Sequence, residues 1–367
     1  MRLIFTFVLA SVLCAAAVTT VHVPNGGIQP QLVEKDGIVH LIYFAGDPQN
    51  GDLFYVRSSD YGGTFSKPIP VNHTPKSAIA VGNIRGAQLA VGRNGRVHVA
   101  WNGTAPQGKL PMFYARLNDA GTAFEQDRNL IHNAWGLDGG GTLAADPDGN
   151  VYVFWHAPIP GEKGEQNRRV WVARSSDEGK TFEPERLAFD KPVGACGCCG
   201  MKAFADTSGV HVLFRSADQI VNRDIWLLTS TDHGKTFQGS DVSHWNIGAC
   251  VMSSADLTPS ASGLLAAWEA EKQTYFGRVE NGQVLKPIAA PGQPHNRKYP
   301  VLASNSKGET LFAWTEGTAW KKGGSVEWQV FDKEGKAQAE KGTAPGFPVW
   351  SLVAAFAKPD GNFVIVW

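Results

Sequence analysis

Four cysteines outside the N-terminal segment are the chain's most reactive group. Cys196, Cys198 and Cys199 lie in the run Cys-Gly-Cys-Cys-Gly, and Cys250 ends the run Ile-Gly-Ala-Cys. An even number in an oxidising compartment points to two disulfides. The adjacent Cys198 and Cys199 pair poorly with each other, so Cys250 should bond to one of the triplet. The other chemistry open to these sulfurs is a soft-metal site for copper or zinc, with His156 or His132 as a nitrogen ligand. The spacing matches no standard zinc knuckle. Apart from that alternative, no cofactor is expected.

Arginines and carboxylates form a second group. Arg85, Arg215 and Arg297 could grip an anionic ligand through paired N–H donors. Asp47, Asp52 and Glu269 are the candidates for moving a proton. Asp138, His156 and Trp350 complete the candidate ligand-binding set. These residues are spread over some three hundred positions, so only a fold that returns repeatedly to one axis can gather them.

Such a fold is written in a repeat. Ser58-Ser-Asp-Tyr-Gly-Gly-Thr-Phe65, Ser175-Ser-Asp-Glu-Gly-Lys-Thr-Phe182 and Ser230-Thr-Asp-His-Gly-Lys-Thr-Phe237 share the form Ser-x-Asp-x-Gly-x-Thr-Phe. In each, a short carboxylate (Asp60, Asp177, Asp232) can bond to turn N–H groups, glycine permits positive φ, and the aromatic pins the turn to the body. A degenerate copy keeps Asp119, Gly121 and Phe124. The order turn, alternating strand, terminal aromatic occurs seven times, with turn glycines at 37, 95, 149, 209, 263, 308 and 361. Asn-Gly and Asp-Gly between alternating strands signal hairpins. Repeats of this length suit one four-stranded propeller blade each. The expected fold is therefore a single all-β propeller over residues 18–367, with seven blades, six being the alternative count. The seventh repeat stops after two strands, and Thr20–Val23 is expected to pair there and close the ring.

In a propeller, inner-strand starts and second-strand ends share one face. That face would hold Gln29, Arg85, Asp138, the 196–199 segment, Cys250, Arg297 and Trp350 from the first set. From the second it would hold Asp47, Asn102, His156, Arg215, Glu269 and Glu316. The Ser-x-Asp turns belong on the opposite face. His40, His98 and His211 recur at one blade position and read as packing or inter-blade hydrogen bonding. Trp101, Trp155, Trp268, Trp314 and Trp367 likewise read as core.

The three turn strings resemble the Asp-box of the sialidase superfamily, whose members are β-propellers. The resemblance implies a carbohydrate or glycoconjugate ligand and exo-sialidase chemistry, with three arginines on a carboxylate, an aspartate as acid/base and a tyrosine–glutamate nucleophile. This chain departs from that pattern. Ile28-Gln29-Pro30 stands where the family's first arginine precedes Ile-Pro, Trp350-Ser351 stands where its tyrosine opens the last repeat, and catalytic sialidases have six blades. Similar Cys-x-Cys-Cys segments occur in exported sialidase-like propellers. The other classes are a non-catalytic binding or assembly propeller with a protein partner, and a metal-binding exported protein.

Composition narrows the partners. Lys plus Arg and Asp plus Glu both number 34 among 367 residues, for a net charge of zero. That disfavours nucleic acid and anionic membrane surfaces. Arg2, the apolar run Leu3–Val12 and Ala15–Ala17 have the order of a cleaved signal peptide, residues 1–17, which predicts a secreted or periplasmic protein. Cys14 follows Ser11-Val12-Leu13, which lacks the small residue of a lipidation site. No run is long enough to span a membrane.

Overall fold

The computed structural model describes residues 16–104 and 108–367, so all but the last two residues of the expected signal segment lie outside the described residues. Seven sheets stand around one axis. Six are four-stranded antiparallel blades, spanning residues 28–70, 88–129, 142–189, 202–243, 256–289 and 298–347. The seventh joins Ala354–Ala357 and Phe363–Val366 with the N-terminal strand Val18–Val21. Each inner strand packs on the next, and the last packs back on Ile28–Lys35 of blade one.

All seven expected hairpins form, because each places a glycine at the turn between two alternating strands. Gly37, Gly95, Gly149, Gly263, Gly308 and Gly361 have positive φ, the conformation such turns require. The ring closes where expected, with two differences. Closure uses Val18–Val21 rather than Thr20–Val23, and this strand runs parallel to Phe363–Val366, with Val18 opposite Phe363 and Val21 opposite Val366. Blade seven therefore has three strands among the described residues.

The core is divided like the blades. Each interface between neighbouring blades holds its own buried cluster, such as Phe44 and Tyr55 with Val99 and Trp101 between blades one and two. The recurring tryptophans are 6% exposed or less, as the sequence predicts. The recurring histidines hydrogen-bond within their own blade rather than between blades. His40 Nδ1 lies 2.7 Å from the Tyr55 hydroxyl, His98 Nδ1 lies 2.7 Å from that of Tyr114, and His211 pairs with Thr229.

The three Ser-x-Asp turns join third to fourth strands in blades one, three and four. Their hydrogen bonding is identical. In the second copy, Asp177 Oδ1 accepts from Ser175 Oγ at 2.7 Å and Thr181 N at 2.9 Å, and Oδ2 accepts from Thr181 Oγ1 at 2.7 Å. The motif's aromatic reaches back to the preceding blade, and Phe182 meets Tyr114 edge-on at 4.7 Å. The degenerate copy is shifted by one residue. Asn118, not Asp119, accepts the N–H groups of Thr122 and Ala123, while Asp119 turns outward to pair with Arg96.

Among the described residues, no helix is long and apolar enough to cross a membrane.

Candidate functional site

The inner-strand starts meet around the axis, above a channel of about 320 Å³ lined by all seven inner strands. Close approach there depends on Gly139-Gly140-Gly141. Gly140 has φ +76°, and a Cβ on it would sit 2.3 Å from the Cys199 carbonyl oxygen. Its N–H donates to Ile84 O, in the segment leading into blade two, at 2.9 Å, and its carbonyl accepts from Met201 N, just before blade four, at 3.3 Å. Gly200 N continues the series to Ser253 O at 2.8 Å. These cross-blade bonds tie the second, third, fourth and fifth inner-strand starts into one rim.

A line of charges runs along this rim. Arg85 Nη2 pairs with Asp138 Oδ1 at 2.8 Å, and Arg85 Nε donates to the Asp138 carbonyl. Asp138 Oδ2 faces Arg168 at 4.0 Å, Arg168 pairs with Glu165 at 3.3 Å, and Glu165 pairs with Arg223 at 2.8 Å. Glu165 also accepts the N–H of Gly197 at 3.1 Å, fixing the cysteine segment to the line. His156 is buried beside Arg168, Asp138 and Arg85; its burial first, and then the Arg168 charge, lower its pKa to about 3. Sequence reading did not find Glu165, Arg168 or Arg223, which precede or begin third strands. Those starts share the mouth with the second-strand ends, and that topological rule was the available signal.

Arg215 and Glu269 form a separate, enclosed pair at 3.2 Å. Burial raises the Glu269 carboxyl to about 7 against the opposing pull of Arg215 and Lys298. Lys298 donates to Val251 O at 2.5 Å, and burial lowers its pKa.

The sulfurs lie next to this pair. Cys198 and Cys250 form a disulfide, while Cys196 and Cys199 are buried free thiols, so one disulfide forms where two were expected. The Cys196 sulfur is 3.3 Å from that of Cys198 and 3.4 Å from that of Cys199. The hydrogen bond with Cys199, and then burial, hold the Cys196 thiol high. Burial opposes ionisation of Cys199 too, but that hydrogen bond and the Arg215 charge outweigh it and hold its thiol low. His156 is not in the group of clustered sulfurs.

The remaining candidates have other partners. Arg297 spends its guanidinium on Glu316 at 2.5 Å, Gln273 at 3.0 Å and the carbonyls of Ala290 and Pro291, over the Trp314 ring. Asp47 accepts the N–H of Gln49 in the turn beyond its strand, and Asp52 anchors Asn72 and the N–H of Lys76. Gln29 binds blades together, donating from Nε2 to Ala80 O at 2.6 Å and to Trp350 O at 2.8 Å.

Trp350 meets Trp320 edge-on, with ring centroids 4.5 Å apart, and Trp320 is 48% exposed. Gly82 separates this pair from the charged line: a Cβ there would lie 2.8 Å from Arg85 Nη1 and 3.7 Å from Trp320 Cζ3. An exposed Trp320, backed edge-on by the half-buried Trp350 and lying beside an arginine–aspartate pair, offers an apolar ring face and directional polar groups to a ligand.

No protein-family model matches the chain, and no curated protein matches it. Among solved structures, a PL25 ulvan lyase aligns with TM-score 0.53 and 11% identity over 90% of this chain and 88% of its own. The Penicillium chrysogenum alpha-L-arabinanase aligns with TM-score 0.52 and 12% identity, over 84% of this chain and 94% of its own. The Trypanosoma rangeli sialidase aligns with TM-score 0.52 and 12% identity over 80% of this chain, which spans 53% of the sialidase chain. The likeness is one of fold. At such identity no residue role passes from one chain to the other.

Proposed function

We propose that this chain is an exported propeller that recognises carbohydrate or glycoconjugate at its mouth without sialidase-type hydrolysis. The observation that carries this reading is the Trp320–Trp350 pair, with Trp320 open to solvent and Trp350 half-buried, beside Arg85 and Asp138. Indole faces stack on the C–H faces of sugar rings, and an ion pair at the edge selects hydroxyl or anionic groups. Three of the fold's solved relatives act on glycans by their printed descriptions, which supports the substrate class. Several observations speak against hydrolysis. Glu269 is 1% exposed behind Arg215, Asp47 and Asp52 serve turns, and Arg297 is fully engaged. A tryptophan at 350 supplies no nucleophile. The Cys198–Cys250 disulfide supports an exported location.

Calorimetric titration against a panel of neutral, uronic-acid and sialylated oligosaccharides tests this. Binding should appear for at least one class, weaken about tenfold in Trp320→Ala, and leave the sugar uncleaved. Absence of binding across the panel, or turnover of a bound sugar, would overturn the reading.

A further inference from the structure

We propose that Cys196 and Cys199 hold one monovalent copper ion between their sulfurs, beneath the Cys198–Cys250 disulfide. This site is separate from the tryptophan surface and does not rest on the glycan reading.

Geometry comes first. The sulfurs of Cys196, Cys198 and Cys199 all lie within 4.8 Å of one another, on one short segment where blades four and five meet. Cys196 and Cys199 are 2% and 3% exposed. Cys250 is exposed and Cys198 half-buried, so the disulfide forms the outer layer and the dithiol the inner one. The segment is held rigidly, with Cys196 N on Arg215 O at 2.9 Å, Gly197 N on Glu165 at 3.1 Å and Gly200 N on Ser253 O at 2.8 Å. A preformed cluster of this kind needs little reorganisation to take an ion.

Donor type and number select the metal. Thiolate sulfur is soft and favours copper(I) and zinc over magnesium or calcium. A structural zinc ion takes four ligands. Here the disulfide occupies two of the four sulfurs, and the described group contains no imidazole or carboxylate. Two thiolates remain, which satisfies a low-coordinate d10 copper(I) ion and leaves zinc short of ligands.

The surroundings match the charge of such a site. Binding of one Cu⁺ displaces to solvent whatever S–H protons the two sulfurs still carry, giving a bis-thiolate complex with one net negative charge. No electron is transferred, and the disulfide stays intact. The Arg215, Arg223 and Lys298 side chains surround the thiols with positive charge. Arg223 Nε is buried and has no hydrogen-bond partner. A buried guanidinium N–H with no acceptor is costly, and an anionic copper thiolate places compensating negative charge next to Arg223.

The test uses the full chain with its disulfide intact, titrated anaerobically with copper(I) against the chromophoric chelator bicinchoninate. Wild type should withdraw about one copper per chain. Cys196→Ser and Cys199→Ser should each lose it, while Cys250→Ser and Trp320→Ala should keep it. Circular dichroism establishes that each variant is folded. As a second readout, X-ray absorption at the copper edge of the wild-type complex should show a sulfur-only shell. Three results would overturn the proposal: no copper withdrawn from the chelator, copper retained by the Cys196→Ser/Cys199→Ser double variant, or a Cys196–Cys199 disulfide in the purified protein by peptide mass spectrometry. Loss of glycan binding in Trp320→Ala with copper retained separates the two readings.

Discussion

Arg215 and Glu269 face each other across the junction of blades four and five, Nη2 to Oε2 at 3.2 Å, with 2% and 1% of their side chains exposed. Burial dominates, lifting the carboxyl from 4.5 to about 7. The sign follows from linkage. Below pH 4.5 the group is protonated in both folded and unfolded chains, and its contribution to stability is fully present. As pH rises from 4.5 to about 7 the unfolded chain releases the proton first, and that contribution is lost. Urea midpoints taken across this window should fall in wild type, by on the order of 3 kcal/mol of stability from this group. Glu269→Gln should flatten that fall. An unchanged slope in the variant would show that Glu269 is ionised throughout.

His98 works in the opposite sense. Burial, with the Arg96 and Arg116 charges, lowers it from 6.5 to about 3, and its Nδ1 lies 2.7 Å from the Tyr114 hydroxyl. Its contribution is present above pH 6.5 and lost as pH falls toward 3, because the unfolded chain takes up the proton first. Acid unfolding followed by tryptophan fluorescence should shift to lower pH in His98→Gln. Between pH 4.5 and 6.5 the two groups oppose one another, so only the single variants reveal either slope.

Much of this architecture is legible in the sequence. Glycine turns between alternating strands announce all seven hairpins, and three near-identical strings fix where third strands turn into fourth. The Asn118–Asp119 slip was hidden because both residues can cap a turn and only backbone geometry decides between them. The mouth was legible in part. Residue types at strand ends named Arg85, Asp138, His156, Arg215 and Glu269, but pairing depends on how neighbouring blades are rotated, which no local pattern encodes. Glu165, Arg168 and Arg223 were missed because the connections before third strands vary in length. The free Cys196–Cys199 pair was missed because an even cysteine count was read as complete pairing.

The Ser-x-Asp turns should matter for stability alone. Asp177→Ala removes an acceptor serving Ser175 and Thr181, and should cost about 1–2 kcal/mol in chemical denaturation. Copper stoichiometry and glycan affinity should be unchanged, because this turn sits at the end of the blade away from the mouth. A binding loss without a stability loss would place the turn at a ligand site.

Gly140 should tolerate no side chain. Gly140→Ala sets a methyl group 2.3 Å from the Cys199 carbonyl oxygen at φ +76°. Gly26→Ala, at φ +67° with nothing within 4 Å, is the control for backbone strain without a clash. Thermal melts should show a loss of about 1 kcal/mol for Gly26→Ala and about 2–4 kcal/mol for Gly140→Ala. Equal losses would mean that the cysteine segment yields readily.

The parallel pairing of Val18–Val21 with Phe363–Val366 has a consequence for the order of synthesis. A ribosome makes the first strand's partner some 340 residues after the strand itself. Blades one to six can each settle on the one before as they emerge, because their strands are neighbours in the chain. Val18–Val21 must wait unpaired, with an uncovered blade face at each end of the growing arc, until the last strand arrives. That unpaired strand and those two apolar faces are where a nascent chain of this kind is most open to the wrong partner. Closing the ring, rather than building any blade, is then the committing step.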